Sequence, residues 1–127
     1  MSGGVPPTVG APATVGLLEP AIVRPLQQLM SASAGVLRSG TGLAEAAAGL
    51  ADLGRQQCDK PDAEAWQATN LHVVATALVQ AALAREETRG SHWREDFPKS
   101  SEAWRGHLVF SLSHSGLSSV FEPVLDE

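Results

Sequence analysis

Apolar residues return at three- and four-residue intervals in three stretches of this chain, and glycine or proline breaks separate them. In the first stretch Ile22, Leu26, Leu29 and Met30 fall at helical spacing, with Gly35 near the far end. Pro25 interrupts that pattern, so the helix either starts near Arg24-Pro25 or kinks there; the expectation is a helix of about Arg24 to Ala34 after a loose turn at Glu19-Pro20. Ser39-Gly40-Thr41-Gly42 is a break, with Thr41 expected as the N-cap of a second helix. Its stripe is Leu43, Ala46, Ala47, Leu50 and Leu53, and Gly54 is placed to end it. Asp59-Lys60-Pro61-Asp62-Ala63-Glu64 opens a third helix, with proline in the first turn and acids at the positive end of the helix dipole. No glycine or proline follows until Thr88 is passed, which predicts a helix roughly 40 Å long. Trp66, Val73, Val74, Ala77, Leu78, Ala81, Leu83 and Ala84 are its expected apolar face. Gly90 is expected to supply a left-handed C-cap, with Arg85 and Arg89 complementing the negative helix end.

The ends read differently. Gly3, Gly4, Pro6, Pro7, Gly10, Pro12 and Gly16 deny the N-terminus a helical period, so residues 1–18 are expected to be a flexible lead-in. Beyond Pro98, Trp104 to His107 suggests a short turn or helix. Leu108-Val109-Phe110 and Val120-Phe121 bracket Ser113-His114-Ser115-Gly116 as a β-hairpin would. The expected fold is mainly α: a three-helix bundle (spectrin-repeat-like, up-down-up) over residues 19–98, followed by a tail at 99–127 with a short C-terminal hairpin. There is no internal repeat.

With 127 residues the chain is one domain at most. Aromatics are only 5% and tyrosine is absent, so the alanine-rich middle implies close helix–helix contact rather than a core of large rings. A net charge of -5, with basic residues spread or paired with acids, excludes a phosphate track and predicts no nucleic-acid partner. The single cysteine, Cys58, cannot close an intrachain disulfide. No apolar run approaches membrane-spanning length, and no charged n-region precedes an apolar stretch. A cytoplasmic protein with no membrane partner is the expectation.

Candidate chemistry is thin. Gly40-x-Gly42 resembles part of a phosphate loop, but Glu45 stands where a third glycine belongs and no strand precedes it; a helix-start turn accounts for it better. His92, His107 and His114 lack local ligand spacing, and His72 lies within the long helix, so no metal site is expected. Ser91 and Ser113 each neighbour a histidine, but no nucleophile elbow surrounds them. Cys58 reads as a structural or surface thiol. No catalytic, cofactor-binding or metal-ligating residue is assigned.

The run from Arg85 to Pro98 stands apart. It packs Glu86, Glu87, Glu95 and Asp96, three arginines, His92, Trp93 and Phe97 around Gly90. One reading is a helix end with compensating charges. Against it, Trp93 and Phe97 alternate with Arg94 and Asp96, which would put aromatics on one side and charges on the other. Arginines beside acids are also groups worth holding rigid at an interface. Arg85, Glu87, Arg89, His92, Trp93, Arg94 and Asp96 are therefore expected to dock this chain against another domain.

The same run resembles the R-x-E-[ST]-R-G-x-H-x-R-x-D-x-P signature of the C-terminal helical domain in the succinate dehydrogenase/fumarate reductase flavoprotein family, which includes L-aspartate oxidase. Arg85, Glu87, Thr88, Arg89, Gly90, His92, Arg94, Asp96 and Pro98 match it. Upstream, Leu26, Met30, Gly35, Val36 and Arg38 match the family's first-helix pattern, and Gly42-Leu43 its second; Trp66 to Asn70 match the opening of the long helix only loosely. Downstream, Trp104 and His107-Leu108 look like the W-x-x-H-[LT] element. The wording looks most like the L-aspartate oxidase branch, whose members oxidise L-aspartate to iminoaspartate with FAD on the way to quinolinate and NAD. The alternatives are the equivalent domain of a succinate dehydrogenase or fumarate reductase flavoprotein, or a free-standing helical module able to self-associate. The resemblance implies a partner, the flavin-binding domain, and an FAD bound by the parent enzyme. The glycine fingerprint and the substrate-binding residues have no counterpart here, so this chain alone is expected to be inactive.

Overall fold

The computed structural model describes residues 17–113 and 116–124. Three helices dominate it: α1 (Val23–Ser33), α2 (Gly40–Leu53) and α3 (Ala63–Ala84). The mainly α expectation is borne out. Short strands lie between and after them: β1 (Leu17–Leu18), β2 (Leu37–Arg38), β3 (Gln57–Cys58) and β4 (Trp93–Arg94). Two longer strands, β5 (Gly106–Ser113) and β6 (Gly116–Pro123), pair antiparallel from Gly106↔Pro123 to Ser113↔Gly116.

Pro25 lies in the first turn of α1, after a 3-10 turn at Pro20–Ile22. Its missing N–H falls where no intrahelical partner exists, and the helix begins within one residue of the expected Arg24. The N-cap of α2 is Ser39, not the expected Thr41: the Ser39 hydroxyl accepts from the Gly42 N–H at 3.1 Å. At the start of α3 the Asp62 carboxylate accepts from the Ala65 N–H at 2.8 Å.

Leu18, Ile22, Leu26, Leu43, Ala46, Leu50, Ala68, Ala75, Val79 and Ala82 form one continuous core shared by all three helices. The stripes expected for α1 and α2 are those the fold buries. The face of α3 is a correction. Ala65, Ala68, Ala75, Thr76, Val79 and Ala82 point inward, while Trp66, Val74 and Leu78 are exposed. This helix is apolar nearly all round, so period alone could not choose a face. Alanines facing in let α1 and α2 approach closely, which large side chains would prevent.

The lead-in expected over residues 1–18 is also shortened. Leu17 and Leu18 pair with Cys58 and Gln57, Leu18 is fully buried, and its N–H donates to Thr69 Oγ1 at 2.9 Å. The remainder of that stretch, residues 1–16, and the expected hairpin tip at His114-Ser115 lie outside the described residues.

The largest correction concerns the end of α3. The helix stops at Ala84, near 33 Å in length at ~1.5 Å per residue, and Arg85 is already extended. Gly90 has the expected positive φ of 58°. It caps no helix, however, but turns the chain back on itself between Arg89 and His92, whose backbones exchange hydrogen bonds at 2.9 and 3.0 Å. That reversal carries the following residues back to the open end of α3.

Candidate functional site

The Gly90 turn sends β4 alongside β2, in parallel, with Leu37 opposite Trp93 and Arg38 opposite Arg94. The Glu95 N–H donates to the Arg38 carbonyl at 2.6 Å. Side chains alternate across this short pairing. Arg94 turns inward and is 2% exposed, while Trp93 turns outward and is 50% exposed.

Arg94 occupies the position that a helix cap would fill. Its Nη1 donates to the carbonyls of Ala82 at 2.8 Å and Leu83 at 3.1 Å, acceptors that the end of α3 leaves without intrahelical donors. A guanidinium there also meets the negative end of the α3 dipole. Its Nε and Nη2 donate to the two carboxylate oxygens of Asp96, both at 2.8 Å. Asp96 in turn accepts from the N–H of Gly40, the first residue of α2, at 3.0 Å. One bidentate pair thus joins the negative end of one helix to the positive end of another. Gly40 is needed for this approach, since a Cβ there would lie 2.8 Å from Asp96 Oδ2 and 3.2 Å from Arg94 Nη2. The paired guanidinium, helped by the Gly40 N–H, lowers the Asp96 carboxyl to about 2.

A second cluster ties the signature to the strands that follow. Glu87 is fully buried. It accepts from Arg85 Nη1 at 2.5 Å, from Arg89 Nε at 3.0 Å and from the Ser101 N–H at 2.7 Å. Burial pushes this carboxyl up, but the bonds from Arg89, Ser101 and Arg85 outweigh it and hold the carboxyl below its ordinary value. The same bond raises the Arg89 guanidinium. Arg85 continues to the carbonyls of Trp104 and Gly106 at 2.5 and 2.8 Å, and stacks over the Trp104 ring at 5.5 Å. Trp104 meets Phe121 of β6 edge-on, with centroids 5.2 Å apart.

His92 stands between the two clusters. Its Nδ1 faces Arg38 Nη1 at 3.0 Å, and its Nε2 faces the Arg85 carbonyl at 2.9 Å. Because a guanidinium can only donate and a carbonyl only accept, the ring carries its proton on Nε2. Burial lowers its basicity, and the charges of Arg38, Arg94 and Arg85 lower it further, against the Arg85 carbonyl bond.

Arg85, Glu87, Arg89, His92, Arg94 and Asp96 are therefore bonded to one another and to the helix ends, strands and loops of this chain. Trp93, also expected to dock, turns its bulk outward. Val36, Leu37 and Phe97 are exposed on the β2–β4 segments, with Leu37 in register with Trp93. Sequence reasoning missed two contributors. Arg38 supports His92, and the Thr88 hydroxyl accepts from the Arg94 N–H at 3.0 Å and donates to the Phe97 carbonyl at 2.9 Å. Both occur in the motif matches, which was the available signal.

Among the described residues no group of His, Cys, Asp or Glu is placed to hold a metal ion. The start of α2 does not fit a diphosphate: the Gly40 and Gly42 N–H groups, which would meet it, are taken by Asp96 and Ser39, and Asp96 would repel it. No helix among the described residues is long and apolar enough to cross a membrane.

The chain is 42% identical over 107 residues to the L-aspartate oxidase of Streptomyces coelicolor, covering 76% of this chain and 18% of that protein. It is 32% identical over 96 residues to the L-aspartate oxidase of Pyrococcus furiosus, again 76% of this chain and 18% of the other. The chain thus spans under a fifth of the length of these relatives. Among solved structures, Mycobacterium smegmatis Sdh1 in complex with UQ1 superposes with a TM-score of 0.70 at 24% identity, over 88% of this chain and 23% of that one. The sequence profile described as "Fumarate reductase flavoprotein C-term" matches residues 23–125. This chain belongs to that family, the C-terminal domains of the succinate dehydrogenase/fumarate reductase flavoproteins, among which L-aspartate oxidases are its relatives.

Proposed function

We propose that this chain is the C-terminal helical domain of a cytoplasmic, FAD-dependent L-aspartate oxidase, which converts L-aspartate to iminoaspartate on the way to quinolinate and NAD. In that enzyme it packs against the flavin-binding domain and does no chemistry of its own. The observation that carries the proposal is the match to L-aspartate oxidases along three-quarters of the chain, at 42% identity to that of Streptomyces coelicolor. The up-down-up arrangement of the three helices and the hairpin formed by β5 and β6 belong to the same proposal.

Docking is assigned to the face of Trp93 and Leu37, which are exposed and in register. Exposed apolar groups clustered on one surface mark an interaction site more often than scattered ones do. Arg85, Glu87, Arg89, His92, Arg94 and Asp96 serve that docking by holding the Trp93 strand rigid, and so lower the ordering cost of association. A second reading, the equivalent domain of a succinate dehydrogenase-type flavoprotein, is favoured by 41% identity over 54 residues to the succinate dehydrogenase flavoprotein subunit of Rickettsia conorii.

A domain exchange tests both. The C-terminal domain of the Streptomyces coelicolor L-aspartate oxidase is replaced by this chain, with and without Trp93→Ala. The proposal expects the exchanged enzyme to retain FAD and to release peroxide when given L-aspartate, and the Trp93→Ala version to lose FAD on gel filtration. An exchanged enzyme no better than one lacking the domain contradicts it. Visible flavin absorbance in the purified 127-residue chain would overturn the assignment of the flavin to another domain.

A further inference from the structure

His92 joins two parts of the chain that are far apart in sequence, and it does so only while uncharged. Its Nδ1 is the acceptor for Arg38 Nη1, and Arg38 leads from β2 into α2. Its Nε2 proton goes to the carbonyl of Arg85, just past the end of α3. A proton on Nδ1 would put two donors face to face at 3.0 Å and two positive charges beside one another.

The charged groups acting on the ring from each packed element are all guanidiniums: Arg38 from β2, Arg94 from β4 and Arg85 from the end of α3. The nearby carboxylates cannot compensate. Glu87 is engaged by Arg85 and Arg89, and Asp96 by Arg94 and the Gly40 N–H. His72 lacks this arrangement. Its Nε2 meets the Leu50 carbonyl at 2.7 Å.

We propose that His92 is an acid-operated release for the β2–β4 pairing: on protonation the ring gives up Arg38, leaves its seat, and frees the Trp93 strand from Leu37 and Arg38. The release acts on the Trp93 face, since Trp93 follows His92 directly and pairs with Leu37. It rests on the internal geometry of this chain and holds whichever flavoprotein the domain serves.

The sign follows from linkage. A histidine whose folded form disfavours the proton contributes stability above its unfolded value of about 6.5 and loses that contribution as pH falls from there to the folded value. The test is an NMR titration of the 127-residue chain from neutral pH downward. It follows the His92 ring signals and the cross-strand nuclear Overhauser effects linking Leu37 and Arg38 to Trp93 and Glu95. The expected result is a ring titrating below the ordinary histidine range, with the cross-strand signals fading along the same curve. Arg38→Met is expected to move the ring titration up, because the guanidinium facing Nδ1 is gone. Cross-strand signals that persist after the ring has titrated overturn the proposal. So does a His92 titration at the ordinary value, or one that Arg38→Met leaves in place.

Discussion

Replacing Glu87 by glutamine preserves the side chain's shape and removes only its charge and half its acceptor capacity. In the folded chain that carboxylate is fully buried and accepts from Arg85, Arg89 and the Ser101 N–H. The amide can keep one side of this set; its NH2 then faces donors on the other. Removing one partner of a buried ion pair costs about 3–5 kcal/mol. The Arg89 side chain is 38% exposed and can recover hydration, whereas that of Arg85 is 15% exposed and cannot do so fully. The lower end of the range, about 3 kcal/mol, is therefore expected. For a domain whose total stability is on the order of 5–15 kcal/mol, that is a large share. Urea unfolding at neutral pH, followed by far-UV circular dichroism, measures it as a lower midpoint at unchanged slope. The adjacent Glu86 is exposed, and Glu86→Gln should stay within about 0.5 kcal/mol of the parent chain. If Glu87→Gln costs less than ~1 kcal/mol, the buried cluster does not fasten the fold as argued.

Other consequences are smaller. Ser39→Ala should cost about 1 kcal/mol through the lost N-cap, while Thr41→Ala should be near neutral; thermal melts that reverse this order would move the start of α2. Gly90→Val should cost on the order of 1–2 kcal/mol from backbone strain alone, because a Cβ there meets nothing within 4 Å, and Gly90→Asn should recover part of that loss. Equal costs for the two would place the penalty in packing instead. Asp96 should stabilise the fold fully above its ordinary value of 3.8, and its contribution should fade as pH drops toward about 2, since the unfolded chain takes up the proton first. The stability gap between wild type and Asp96→Asn should close over that interval, and a gap independent of pH would contradict the ion pair.

What is legible in the sequence depends on whether the deciding contacts are local. The stripe of α1 stands out because Leu26 recurs among polar neighbours, and that of α2 because Leu43 and Leu50 are bulky residues spaced at helical intervals among alanines and glycines. On α3 apolar residues surround the axis, so Trp66 and Val74 are as eligible for the core as Ala68 and Ala75, and only the close approach of the other helices decides between them. Gly90 is legible as a positive-φ position, but the rule that links such a glycine to a helix end is local. Here the end of α3 is closed by Arg94, which returns through a turn to reach Ala82 and Leu83. The signature is recognisable by its wording, yet its partners Gly40, Arg38, Ser101 and Gly106 are set by the fold. That is why the bonds its charges make within the chain are not legible in the sequence.

Native-state hydrogen exchange of the Gly40 and Ser101 amides, donors to Asp96 and Glu87, tests most directly whether the signature is a fastener of this domain. The account predicts that both exchange only through global opening, as slowly as the Val79 amide in the core of α3. Fast exchange of both while Val79 remains protected would show a surface loop resting on a bundle that stands without it, and would contradict the account.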